Sequence, residues 1–319
     1  MDHRFCIAPM MDRTDRHCRY FHRILSKNSI LYTEMIHSNA IIRGETSQLL
    51  KYHQEEHPLA LQLGGSDPSL LAESCIISEE FGYDEINLNV GCPSSKVQKG
   101  KFGAVLMKDP KLVASCINMM KKATNIPITV KCRIGVDDMD EEKHLDRFIE
   151  EVSSGGCETF IIHARKAWLK GLSPKDNREI PPLNYERVYK LKESFPELKI
   201  IINGGIKTKE DCLVHLQNVD GVMLGREAYD NPLIIAEIDN MIFSEKKVCL
   251  TRSEILKRLA PYIQNELENG AKLFHITRHL MGLFKGFEGA KNLRKSLVSL
   301  NNEINSIDKF EFLVKKVIA

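Results

Sequence analysis

Short apolar, β-branched runs, each closed by a polar or glycine-containing turn, recur along the chain as FCIAPM, ILYTEM, LALQLG, EINLNVG, ITVKCRIG, TFIIHA, KIIINGG and GVMLGR. They begin at Phe5, Ile30, Leu59, Glu85, Ile128, Thr159, Lys199 and Gly221, and their length and composition predict strands. Between most of them apolar positions recur at helical spacing, over residues 16–26, 68–81, 110–124, 145–153 and 185–194. Strand and helix in alternation imply a parallel sheet, and eight such units imply closure into a (β/α)8 barrel. A doubly wound open sheet is the competing arrangement. It is disfavoured because no strand runs into GxGxxG and no GxxxxGK[ST] occurs, so the usual phosphate loops of open sheets are missing. We therefore expect an α/β protein with a TIM barrel over residues 1–243. Beyond GVMLGREAYDNP the strand pattern stops, and ILKRLAPYIQNEL and HITRHLMGLFKGF carry helical spacing. These predict a small helical domain over residues 249–319, after a polar linker, SEKKV, at 244–248.

Composition narrows the class. A chain of 319 residues is long enough for a barrel of roughly 250 residues and a second, smaller unit. With 43% hydrophobic and 28% charged residues it is an ordinary globular chain rather than a disordered or fibrous one. No apolar run approaches the roughly 18 residues needed to cross a bilayer, and the N-terminus lacks the apolar stretch of a signal peptide; the expected location is the cytoplasm. Nine cysteines show no CxxC pair, which suits reduced thiols better than disulfides or a zinc site. The net charge of +2 does not by itself announce a nucleic-acid partner, so any basic surface must be local. We expect a monomer without a metal. His275 and His279 stand four residues apart, but the intervening ITR lacks the glutamate of HExxH.

In such barrels functional groups sit at the C-terminal ends of the strands, and here those ends are rich in chemistry. They carry Met10, Glu34, Gln62, Asn87, Asn89, Cys92, Lys131, Arg133, His163, Arg165, Asn203, Gly204, Gly205, Gly225 and Arg226. INGG and LGR close the seventh and eighth strands, where backbone N–H groups of barrels often hold phosphate, and Arg226 would add charge-assisted hydrogen bonds. Strand alternation points Lys131 into the barrel mouth, a costly place for an ammonium unless it meets an anionic or electron-rich partner. A reducible isoalloxazine ring is one such partner, and a structural ion pair is the other reading. Gln62 and His163 end apolar runs and could bond the polar edge of such a ring. Cys92 stands at the fourth strand end, before a polar, basic loop carrying Lys96, Lys99 and Lys101. Packing is the usual role of a cysteine, but a place on a strand-end loop favours chemistry.

Seven segments carry a family resemblance: APMMDRTDRHCR, LALQLGGSDP, YDEINLNVGCPSSKVQKGKFGA, FIIHARKAWLKGLSPKDNREIPPL, INGGI, DGVMLGREAYDNP and HITRHLMGLFKGFEGAKNLR. Together they make the chain resemble the tRNA-dihydrouridine synthase family over essentially its whole length, and most closely its A subfamily, which modifies positions 20 and 20a of the tRNA D-loop. The resemblance implies a barrel that binds FMN, reduced by NADPH, with hydride passed to C6 of uracil and Cys92 protonating C5. It implies that Pro9, Met10, Met11, Gln62, Lys131, His163, Asn203, Gly204, Gly205, Gly225 and Arg226 surround FMN and that Asn89 lies beside the target uracil. It places the subfamily's tRNA contacts on Lys175, Arg178, Lys291 and Arg294. At 291 the family pattern has arginine; lysine keeps the charge and loses the bidentate fork. With no Rossmann fingerprint, NADPH is expected to visit the flavin face transiently. The same chemistry would serve a small-molecule flavin barrel oxidoreductase of the dihydroorotate dehydrogenase type, which needs no basic helical tail. A tRNA-binding folding factor is the non-enzymatic alternative, against which intact Cys92, Lys131 and His163 speak.

Overall fold

The structure is a computed structural model, and it describes residues 1–243 and 250–299 together with Ile307, Phe310 and Lys315. Eight strands form the barrel: β1 (Phe5–Ile7), β2 (Ile30–Tyr32), β3 (Leu59–Gly64), β4 (Glu85–Asn89), β5 (Ile128–Arg133), β6 (Thr159–His163), β7 (Lys199–Asn203) and β8 (Gly221–Leu224). Each pairs in parallel with its neighbours in sequence, and β1 also pairs with β8 through Cys6 opposite Met223, which closes the TIM barrel. Closure satisfies the backbone groups that an open sheet leaves at its edges.

Period-two alternation divides every strand between two cores. Inside the barrel lie Cys6, Ile30, Tyr32, Ala60, Ile161, Ile201 and Met223. The opposite faces carry Ile7, Leu31, Leu61, Leu88, Val130, Ile162 and Ile202, which pack under the surrounding helices. Those helices begin and end where local chemistry allows. Over Pro68–Phe81, Asp67 accepts from the N–H groups of Ser69 and Leu70, Pro68 opens the first turn and Gly82 leaves it at φ 83°.

All eight strands start where the hydrophobic pattern puts them. The excursion between β2 and β3 is new: a two-residue strand, Ile36–His37, adds to the outer end of β3 beside Leu63 and Gly64, and two short helices, Ser38–Arg43 and Thr46–Leu49, follow it. Pieces so short show no readable period.

Past the barrel, a helix spans Arg252–Glu268, and the HITRHLMGLFKGF run divides into a helical turn, Leu273–Thr277, and a 3-10 segment, Arg278–Phe284. The helix Ala290–Ser299 follows. This region docks on the first barrel helix, Arg16–Leu25. Tyr262 stacks on Tyr20 with ring centroids 3.8 Å apart and meets His17 Nδ1 at 2.7 Å, while Arg16 pairs with Glu266. Asp15, the N-cap of that first helix, accepts from Arg278 at 2.6 Å and meets His279 at 3.0 Å. Burial opposes its charge, but His279, Arg278 and the Cys18 N–H outweigh this and hold the carboxyl well below the usual range. The linker expected at 244–248 lies outside the described residues.

Candidate active site

The inward positions that close the strands are Gln62, Asn89, Lys131, His163 and Asn203, and the ladder sets Asn89 opposite Lys131 and His163 opposite Asn203. Together with the loops above them they wall a cavity of about 910 Å³ at the C-terminal mouth of the barrel. That volume is ample for a cofactor and part of a second ligand.

Its wall is electropositive. Arg13 pairs with Asp230, Arg226 with Glu179 and Lys285 with Glu227, which engages all the carboxylates in the lining. Lys131, Arg133, Arg165, Arg178 and Lys207 are left without an ion-pair partner among the described residues. Lys131 Nζ donates to Asn203 Oδ1 at 2.9 Å, and burial, reinforced by the Arg133 charge, pulls its pKa down to about 7. Arg133 is buried and donates to the carbonyls of Gly91, Lys166 and Asn177 at 2.9 to 3.0 Å, so that one guanidinium ties together two loops over the mouth. His163 is kept neutral, because desolvation and the surrounding Arg133, Lys131 and Arg165 push its pKa well below the usual value. Arg165 Nε is buried with no partner.

Two glycines shape the floor. Gly204 has φ 116°, and a Cβ there would come within 2.6 Å of His163 Cδ2; Gly205 has φ 73° and abuts Leu183 and Tyr185. The backbone can therefore approach a ligand where no side chain fits. Unpaired cations, an orphaned N–H donor and a glycine cradle suit a ligand that bears a phosphate, and Lys131, Gln62 and Asn89 supply donors for a flat, carbonyl-bearing ring.

Cys92 overlooks this cavity. Asn89 Oδ1 accepts from the N–H groups of Gly91 and Cys92 at 3.1 and 3.0 Å, and the Cys92 carbonyl accepts from Ala104 at 2.9 Å. Gly103, at φ 73°, permits that approach, since a Cβ would lie 2.6 Å from the Cys92 carbonyl oxygen. The helix Ser95–Lys99 forms a lid pinned by Gln98 Nε2, which donates to Pro93 O at 2.7 Å and Leu169 O at 2.8 Å. The other described cysteines are all buried, and burial pushes their thiols up, to about 12 for Cys75, Cys116, Cys157 and Cys212. Cys132 also borders the cavity but is fully buried in the core under the helices, so among the described cysteines Cys92 alone combines exposure with a place in the lining.

Of the residues singled out from the sequence, Pro9, Met10, Met11, Gln62, Asn89, Cys92, Lys131, His163, Arg178, Asn203, Gly204, Gly205, Gly225 and Arg226 all line this one cavity. Lys175, Lys291 and Arg294 do not; they are exposed, Lys175 on the loop that carries Arg178 and the other two on the helix Ala290–Ser299. Arg226 differs from expectation in being tied to Glu179 at 2.6 Å, so only part of its guanidinium remains for an anion. Arg13, Lys207 and Lys285 join the wall without having been anticipated; they lie beyond the strand ends, where alternation gives no direction. His275 is exposed and His279 is buried against Asp15 and Tyr229, because the break into a 3-10 segment separates their faces. Among the described residues no group of His, Cys, Asp and Glu is arranged to hold a metal ion.

Comparison with known proteins points to one family. A family model described as dihydrouridine synthase matches residues 6–317. The tRNA-dihydrouridine(20/20a) synthase of Escherichia coli (strain K12) is 57% identical over 295 residues, which cover 92% of this chain and 85% of that protein. The protein of the same name from Vibrio parahaemolyticus is 55% identical over 295 residues, 92% of this chain and 90% of its own length. That of Shewanella oneidensis is 54% identical over 297 residues, with 93% and 88% covered.

Proposed function

The chain belongs to the dihydrouridine synthase family of flavin-dependent oxidoreductases, and from that premise we propose that it reduces the uracil C5–C6 double bond at D-loop positions 20 and 20a of tRNA, with FMN in the barrel mouth and NADPH as reductant. The observation that carries this reading is that Cys92, the one described cysteine that is not buried, opens onto the same cavity as Lys131, His163 and the Gly204–Gly205 cradle.

Gln62, Lys131, His163 and the Gly204–Gly205 backbone would hold FMN there, and the bound flavin would supply the hydride for the double bond. The rest belongs to this chain. The Cys92 thiol holds the proton that C5 takes up, and the thiolate left behind is reprotonated from solvent, so that one hydride and one proton saturate the double bond. Lys131 offers a positive charge to the electron-rich edge of the ring. Neutral His163 and the amides of Gln62 and Asn89 give hydrogen bonds without adding charge. Arg133 holds the Cys92 loop through the Gly91 carbonyl. The uracil C5–C6 bond is inaccessible in folded tRNA, so the base must be turned out into the mouth. Residues 249–319 are then the tRNA-binding domain. Arg178 stands at the cavity, and Lys175, Lys291 and Arg294, exposed on either side of it in sequence, would hold phosphates and fix register. The substrate and the reductant are those of the cytoplasm, where the protein would act as a monomer.

The test is the purified protein itself. It should be yellow, and denaturation should release FMN at close to one per chain. A colourless preparation that takes up no added FMN would overturn the assignment.

A further inference from the structure

Below Cys92, side chains on β3, β4 and β5 form an unbroken hydrogen-bonded chain through the barrel interior. The N–H groups of Gly91 and Cys92 donate to Asn89 Oδ1, Asn89 Nδ2 donates to Gln62 Oε1 at 2.9 Å, and Gln62 Nε2 donates to Asn87 Oδ1 at 2.8 Å. Asn87 Nδ2 then donates to Thr129 Oγ1 at 2.8 Å, and Thr129 Oγ1 to Glu85 Oε1 at 2.7 Å. Glu85 is fully buried; its Oε1 also accepts from Tyr32 OH at 2.7 Å, and its Oε2 meets His3 Nε2 at 2.6 Å. The links between are as deeply placed, with Asn87 at 0% and Gln62 and Thr129 at 1% exposure.

A side-chain amide can be turned over without changing its shape, so its direction has to come from its partners. At the upper end, two backbone N–H groups can only donate, and Asn89 must present its oxygen. At the lower end, Glu85 Oε1 receives two hydroxyl protons, from Thr129 and Tyr32, and offers them its lone pairs. The single proton of Thr129 is thereby committed downward, its lone pairs face upward, and Asn87 must present nitrogen. Both ends demand the same polarity, which locks the amides of Asn87, Gln62 and Asn89. Each amide nitrogen has two N–H bonds and the chain uses one. The second N–H of Gln62 and of Asn89, residues that line the cavity, meets no protein acceptor among the described residues.

We propose that Glu85 and Thr129 are positioning residues for the reaction: from outside the cavity they fix Gln62 and Asn89 as donors toward carbonyl-bearing rings in the mouth and, through Asn89, set the backbone of the Cys92 loop. Glu85 therefore has a role at a site it does not touch. The proposal rests on the flavin and uridine reading above.

Thr129→Val removes the hydroxyl at nearly constant shape, and Thr129→Ser keeps it. With the chain cut, Asn87 Nδ2 loses its acceptor and the lower anchor is gone, so Asn89 alone holds the polarity and Gln62 presents a less rigidly held donor. Thr129→Val should bind FMN about tenfold or more weakly, with the bound-flavin absorption bands displaced from their wild-type positions, and Thr129→Ser should restore both. Tyr32→Phe removes the other hydroxyl on Glu85 Oε1 without cutting the chain; it should lower Tm and leave spectrum and affinity at wild-type values. Should Thr129→Val not fold, Asn87→Ala cuts the chain one link higher and is read the same way. A cut chain with wild-type FMN affinity and spectrum overturns the proposal, as does a Tyr32→Phe protein that loses both. A wild-type protein that takes up no FMN overturns instead the functional reading on which the proposal stands.

Discussion

The roles proposed for Cys92 and Lys131 differ, and substitution of each should separate them. Cys92→Ala should still bind FMN and oxidise NADPH, because the thiol is needed only to complete the saturation of uracil. Dihydrouridine formation should fall by roughly 100- to 10,000-fold, the usual contribution of a general acid, in a single-turnover assay with tRNA. Unchanged dihydrouridine formation would make Cys92 a packing residue. Lys131 titrates near pH 7 in the unliganded site, and a flavin edge that prefers the ammonium binds the protonated form. FMN affinity should therefore be highest below pH 7 and decline as the pH rises past it, with proton uptake on binding detectable by calorimetry in buffers of different ionisation enthalpy. His163 stays neutral throughout and Arg133, held down only to about 10, stays charged, so Lys131→Met should flatten the profile. At this scale the sequence was informative wherever a residue closes a strand, since alternation alone aims Lys131 and Asn89 inward. It was uninformative for pairings made across the mouth, such as Glu179 with Arg226, which depend on where two loops meet.

Among the elements, the strands were legible because eight apolar runs repeat with turns between them, and the closing pair, β1 with β8, follows from their number. The Ile36–His37 strand and the lid helix Ser95–Lys99 were not. Tertiary partners rather than periodicity create them: β3 in the first case, Pro93 and Leu169 through Gln98 in the second. The turn after β7 gives a prediction of its own. Gly204→Ala forces an L-residue to φ 116° and sets a methyl against His163, so stability should fall by roughly 1–3 kcal/mol and FMN affinity should fall with it. Gly171, at φ 82° with nothing within 4 Å, is the control. Gly171→Ala carries comparable backbone strain away from the cavity and should lower Tm while leaving FMN affinity intact.

For the molecule as a whole, the helical region is joined to the barrel through Asp15, His17 and Tyr20, which lie on the loop and helix that follow β1. The same loop lines the cavity with Pro9, Met10 and Met11, so the surface proposed to grip tRNA is anchored beside the mouth that does the chemistry. Replacing Lys175, Lys291 and Arg294, which stand off the cavity, together by alanine should weaken tRNA binding and make its salt dependence shallower, by about one unit of slope for each phosphate no longer neutralised, while FMN reduction by NADPH is unchanged. Wild-type affinity and slope in that variant would turn attention to Lys96, Lys99 and Lys101 of the lid. The most direct measurement supplies the purified protein with NADPH and tRNA lacking dihydrouridine, and maps the modification along the D-loop. Dihydrouridine at positions 20 and 20a, absent when Cys92→Ala is used, is the predicted result. A protein that holds FMN and oxidises NADPH yet leaves both positions as uridine would contradict it.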